Sequence, residues 1–280
     1  MKKPKMFAVL PTLLTLGNAA CGFGAITFAA KVGPMSLGGN DLGTAALLIF
    51  LAMLFDVLDG SAARWTKHVS DFGAQLDSLC DAISFGVAPA FLMLQFVRHN
   101  HAPEGLAVEF FTYHPRLLWV IAVLFVVCAL LRLARFNVET DEDDAHDEFS
   151  GLPSPAAAGM VASFPLAMGG LYELAAEPQA ASQQLALWLI PTVHLVVPLL
   201  TFAVACCMVS RVRYPHVFNQ LLRGQRSRQH VIQLVFTMAV VFLVQEMALP
   251  LIFCFFAFAS PLRALWREVI ARRLYKSQRI

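Results

Sequence analysis

The stretch DVLDGSAARWTKHVSDFGAQLDSLCD, residues 56–81, joins two apolar segments and carries carboxylates into both. On its N-terminal side residues 43–64 read as one apolar helix, and on its C-terminal side residues 71–97 read as another. Each is about as long as a helix needs to be to cross a bilayer core, roughly 20 residues. Asp56 and Asp59 fall inside the first helix, Asp77 and Asp81 inside the second. An ionisable side chain at membrane depth is costly, so its presence marks a functional site by default.

Working outward, the same kind of apolar run recurs along all 280 residues. Hydrophobic residues make up 58% of the chain and charged ones 14%, which excludes an ordinary soluble domain. The runs predict an all-α polytopic transmembrane helix bundle of about eight spans: 15–31, 43–64, 71–97, 115–136, 155–175, 185–209, 230–247 and 249–267. Residues 1–280 read as a single integral membrane domain, with a catalytic core at about 8–210 and two further C-terminal spans at about 230–267. Lys2, Lys3 and Lys5 precede the first run and predict an N-terminal interfacial helix. A cleaved lipoprotein signal ending at Cys21 is disfavoured, because Asn18 stands where such a signal wants Leu and the apolar run continues to about Ala30.

Orientation follows from Lys and Arg. With the N-terminus inside, 18 of the 21 fall on the cytoplasmic side and only Lys31, Arg98 and Arg116 outside. This predicts a multi-pass protein of the cell (inner) membrane, with both termini and the active site cytoplasmic. No internal repeat supports a transporter built from inverted halves. The six cysteines all lie in apolar runs and read as small packing residues, not as a disulfide framework.

Of the 19 acidic residues, seven crowd the loop Glu139–Glu148 and eight lie in other loops or at span ends. Only Asp56, Asp59, Asp77 and Asp81 remain. Spacings of three and four put each pair on one helix face. The helices are antiparallel across a short turn, so at about 1.5 Å per residue the pairs share a depth of roughly 8–15 Å below the helix ends. Four facing carboxylates cannot all stay ionised without cations, and hard oxygen ligands select Mg²⁺ or Mn²⁺, with room for two ions. Gly60, Ala62, Ala63, Gly73 and Ala74 allow close approach of a phosphate-bearing ligand, and Arg64 offers a planar fork of donors to a diphosphate. Ser61 and Ser70 add hydroxyls. From the residues alone a buried ion-pair network and a divalent-cation transporter remain as rival readings.

The pattern Asp56-x2-Asp59-Gly60-x2-Ala63-Arg64-x8-Gly73-x3-Asp77-x3-Asp81 resembles the full signature of the CDP-alcohol phosphatidyltransferase family. More of the chain, over about residues 8–165, is similar to one branch, the membrane-integral phosphatidylserine synthases. The stretches that carry this are Pro11–Asn18 with Cys21-Gly-Phe, Ser70–Pro89, Arg132-Leu-Ala-Arg-Phe-Asn137 and Phe149–Gly159. Ser61-Ala62 departs from the residues many relatives carry there, at variable positions.

The resemblance implies transfer of a phosphatidyl group from CDP-diacylglycerol to L-serine with release of CMP. It implies Asp56, Asp59 and Asp77 as metal ligands, and Asp81 as both ligand and general base. Gly60, Arg64, Ser70 and Asn18 are the implied contacts to CDP-diacylglycerol. Arg132, Arg135 and Asn137 are candidates for serine, whose carboxylate needs a cation. Membrane lipids and a homodimer partner are also expected, and nucleic acid is not. A sister enzyme using glycerol 3-phosphate or an inositol phosphate is the alternative. His99 and His101 read as outer-loop residues, and the basic tail Arg263–Arg279 as a contact to anionic lipid.

Overall fold

The computed structural model describes residues 6–31, 41–66, 71–98, 112–139, 148–176, 180–215 and 247–277. It is almost entirely helical, as membrane burial requires of a chain whose backbone polar groups must find partners internally. The helices are α1 (Met6–Ala30), α2 (Asp41–Thr66), α3 (Asp71–Asp81), α4 (Ala88–Arg98), α5 (Pro115–Glu139), α6 (Ser154–Ala176), α7 (Ala180–Val209) and α8 (Ala248–Ser277). Two three-residue strands, β1 (Glu148–Ser150) and β2 (Arg213–Pro215), pair antiparallel with Phe149 opposite Tyr214.

Among the described residues, five helical stretches are long and apolar enough to cross a membrane: Pro11–Ala30, Asp41–Ala62, Phe72–Arg98, Pro115–Val138 and Gln183–Val209. The segment expected as the span 155–175 is helical, α6, but is not one of these five stretches; it is rich in small residues and packs within the bundle. Its Ala157, Ala158, Met160, Val161 and Ala162 have no exposed surface. The expected span 230–247 lies outside the described residues except for Met247. The span expected at 249–267 is longer as built: α8 continues to Ser277, although only Ala248–Ala264 is apolar. The N-terminus also differs from expectation. The interfacial lead-in and the first span form one helix from Met6 with Pro11 inside it.

Two packed regions share α6 and α4. One gathers α1, α2, α4 and α6 through Ala25, Ala29, Ala45, Ala46, Ile49, Ala52, Leu92, Ala158 and Ala162. The other gathers α4 to α8 around Phe125, Met160, Leu171, Ile190, Val197 and Met208. Alanine dominates the first because, without water to expel, helices in lipid gain most from close backbone approach. At Gly159 on α6 an added Cβ would come within 2.4 Å of the Phe253 ring on α8. Large apolar side chains point outward instead, including Leu47, Leu51, Leu54, Trp119, Leu131, Trp188 and Leu199, as a lipid-facing surface requires.

Between α3 and α4 the helix widens into a π-helical segment, Ala82–Val87, where the Ala88 N–H bonds the Ile83 carbonyl five residues back. Such an insertion is rare and is held by packing rather than by local preference. Ser84, Phe85 and Gly86 are all buried, and the Ser84 hydroxyl donates to the Asn18 carbonyl on α1 at 2.9 Å. The segment begins immediately after Asp81. It therefore decides how that carboxylate sits relative to α1.

Candidate active site

The last turns of α2 and the length of α3 bring the carboxylates together as the spacing predicts. Oxygens of Asp56, Asp59 and Asp77 lie within 4.8 Å of one another, a set that can hold a metal ion. Asp59 is only 5% exposed, and the hydroxyl of Thr15 on α1 stands beside it. Two oxygens, Oδ2 of Asp59 and Oδ1 of Asp77, are buried with no hydrogen-bond partner among the described residues. A buried carboxylate oxygen left in that state costs about 1–3 kcal/mol or more. Three carboxylates so close also repel one another. A divalent cation relieves both penalties, so the donor set fits a metal of the oxygen-preferring class.

Asp81 is not part of that triad. It lies one turn further along α3, 8% exposed, and feels the charges of all three other carboxylates, that of Asp56 most strongly. Its Oδ1 accepts a hydrogen bond from Nδ2 of Asn18 at 2.8 Å. The four-carboxylate set of the sequence thus divides into three converging oxygen donors and a fourth acid anchored to α1.

The other expected residues distribute as follows. Gly60 follows Asp59 on α2, and an added Cβ there would meet nothing within 4 Å among the described residues, which leave the backbone beside the triad open. Arg64 lies on α2 about one turn beyond Gly60, its side chain outside the described atoms, and Ser70 is outside the described residues. Asn18 is fully buried and is engaged with Asp81. On α5, Arg132 donates through an η nitrogen to the Ser154 hydroxyl at 3.0 Å, lies within the electrostatic reach of Asp81, and keeps a buried Nε without a hydrogen-bond partner among the described residues. Asn137 donates to Ser78 on α3, the residue after Asp77, at 3.0 Å. Arg135 is half-buried on the same helix and has a polar or packing partner of its own.

Thr15, Ser78, Ser84 and Ser154 were not singled out by sequence reading, although each lies in one of the quoted stretches. No local signal marks them, because each one's role is a contact with a distant helix.

Residues 8–266 match the sequence profile of the CDP-alcohol phosphatidyltransferases, nearly the whole chain. The chain belongs to the CDP-alcohol phosphatidyltransferase family. It is similar to an archaetidylserine synthase of Methanothermobacter thermautotrophicus, 36% identical over 218 residues that make up 77% of this chain and 73% of that protein. It is 42% identical to a CDP-diacylglycerol–serine O-phosphatidyltransferase of Methanocaldococcus jannaschii over 117 residues, 42% of this chain and 48% of that one. A Bacillus subtilis protein of the same name is 34% identical over 148 residues, 53% of this chain and 70% of its own. This CDP-alcohol phosphatidyltransferase family member therefore carries its acidic signature on membrane-length helices, and the first three carboxylates of that signature form the metal-competent triad.

Proposed function

We propose that this chain is a CDP-diacylglycerol–serine O-phosphatidyltransferase of the cell (inner) membrane. The observation that carries this proposal is the triad of Asp56, Asp59 and Asp77 within 4.8 Å, with Asp81 anchored immediately beside it. The acceptor is supported by the relatives' names, all of which specify serine.

The triad would hold Mg²⁺ or Mn²⁺, as a pair of ions with Asp81 as a further ligand, and these supply charge neutralisation for a diphosphate. The residues of the chain do the rest. The open backbone at Gly60 admits the diphosphate, and Arg64, with Ser70, holds the CDP moiety. Arg132, Arg135 and Asn137 receive the amino acid, its carboxylate facing the half-partnered guanidinium of Arg132. Asp81 takes the proton of the serine hydroxyl as its oxygen attacks the phosphorus that bears diacylglycerol. The new P–O bond forms as the P–O bond to the cytidine monophosphate breaks, and the electron pair leaves with CMP. Positioning and charge stabilisation carry most of the rate. Depth suits the substrate: acyl tails remain in lipid while the nucleotide reaches a cytoplasmic opening, the side to which 18 of 21 Lys and Arg are assigned.

The test is an acceptor panel with purified protein: L-serine, glycerol 3-phosphate and inositol phosphate, each with CDP-diacylglycerol. Preference for serine is expected. Preference for either phosphorylated alcohol would move the chain to another branch of the family.

A further inference from the structure

Asn18 was expected to touch CDP-diacylglycerol, yet its side chain is fully buried and its amide is spent on Asp81. A carboxylate can only accept, so the amide end facing Asp81 at 2.8 Å is the NH₂ group. Its own backbone is held in turn: the Ser84 hydroxyl donates to the Asn18 carbonyl at 2.9 Å. One helical turn later on α1, Gly22 lies so close to the π-helical segment that an added Cβ would fall 2.4 Å from the Ser84 hydroxyl and 2.8 Å from its Cα. Only a glycine permits α1 to lie there.

Together these contacts form a chain, Ser84 to Asn18 to Asp81, that begins and ends on one span and passes through α1. It closes across the π-helical segment, which starts directly after Asp81. Asn18 Oδ1 has no hydrogen-bond partner among the described residues, although the residue is entirely buried. An asparagine serving packing alone would satisfy both ends of its amide. Here one end is left over while the other is fixed on a single carboxylate oxygen.

We infer that Asn18 is a positioning residue for Asp81, holding that carboxylate in the orientation from which it accepts the proton of the acceptor alcohol, with Ser84 and the π-helical segment fixing Asn18 in place. This rests on the phosphatidyl-transfer reading of the site. It replaces the expected contact between Asn18 and the nucleotide lipid.

The experiment compares Asn18→Ala, the isosteric Asn18→Asp and Ser84→Ala with the unaltered protein in lipid nanodiscs. Release of CMP from CDP-diacylglycerol and serine is measured alongside retention of CDP-diacylglycerol with serine omitted. Misplacing a reacting group by about 1 Å costs on the order of 100-fold in rate. Asn18→Ala and Asn18→Asp should therefore lower kcat by about 10–100-fold, and Ser84→Ala less so in the same direction. KM and retention for CDP-diacylglycerol should stay within about twofold. Asn18→Asp keeps the shape and loses the amide donor, so a fall in kcat with KM and retention unchanged reports the lost hydrogen bond to Asp81 rather than a lost lipid contact. A rise in KM or a loss of retention would overturn the inference in favour of a lipid contact, and an unchanged kcat would overturn it outright. Absence of CMP release from the unaltered protein would instead bring down the phosphatidyl-transfer reading, and the inference with it.

Discussion

The guanidinium of Arg132 on α5 donates to the hydroxyl of Ser154, the first residue of α6, at 3.0 Å, within the electrostatic reach of Asp81. This places a cation whose Nε has no hydrogen-bond partner among the described residues near Asp81. Losing a hydrogen bond to a charged group costs about 1.5–3 kcal/mol, a factor of roughly 10–100. Arg132→Gln is therefore expected to raise the KM for serine by at least about tenfold, leaving that for CDP-diacylglycerol within about twofold. Ser154→Ala should shift it in the same direction by less. Steady-state kinetics at varied serine check this, and an unchanged serine KM in Arg132→Gln would remove Arg132 from the acceptor site.

Asp81→Asn keeps the shape of the side chain and removes the proposed base. General-base catalysis contributes about 10²–10⁴-fold, so turnover should fall by that amount while CDP-diacylglycerol binding is largely retained. Near-normal turnover in this variant would end the assignment of Asp81 as the base.

The triad predicts a metal requirement. Chelation should abolish CMP release, and Mg²⁺ or Mn²⁺ should restore it. Asp59→Asn and Asp77→Asn each remove an oxygen charge that lacks a hydrogen-bond partner among the described residues. Both should raise the metal concentration needed for half-maximal activity by at least about tenfold, and titration of Mn²⁺ binding provides an activity-independent check. Full activity in excess chelator would contradict the metal assignment.

Two glycines should respond oppositely. Gly151 has φ +86°, and an added Cβ would lie 2.3 Å from the Met208 carbonyl oxygen, where the residues after β1 are pinned to the end of α7. Gly151→Ala should destabilise the fold by about 1–3 kcal/mol in a thermal unfolding measurement. Gly60→Ala meets no neighbour among the described residues and sits in a helix, where alanine is intrinsically better by about 1 kcal/mol. Its stability should hold or rise while the KM for CDP-diacylglycerol rises, because the open backbone beside the triad is then filled. A stable Gly60→Ala enzyme with normal KM would show that the diphosphate does not pass there.

Much of this was legible in the chain. Hydropathy and length locate α2, α5 and α7 closely, because lipid imposes one rule on every span. The three and four residue spacings place Asp56 with Asp59 and Asp77 with Asp81 on single helix faces, which is why the triad could be foreseen. The π-helical segment could not. Ala82–Val87 has no sequence feature that demands an extra residue per turn, and it exists because Ser84 and Gly22 lock α1 against it. For the same reason Asp81 was grouped with the other three. Its engagement with Asn18 joins residues 63 apart in sequence, a contact that helix periodicity does not contain. The strap formed by β1 and β2 was likewise hidden. Glu148 reads as the end of an acidic loop and Phe149 as the start of the next stretch, and only pairing with residues 213–215 makes 148–150 a strand.

The most direct test of the central claim is the stoichiometry of the reaction with purified protein, CDP-diacylglycerol, L-serine and Mg²⁺ or Mn²⁺. Metal-assisted phosphatidyl transfer predicts one CMP released for each phosphatidylserine formed, with neither product when serine or the metal is omitted. No CMP under any of these conditions, as a divalent-cation transporter would give, would contradict it.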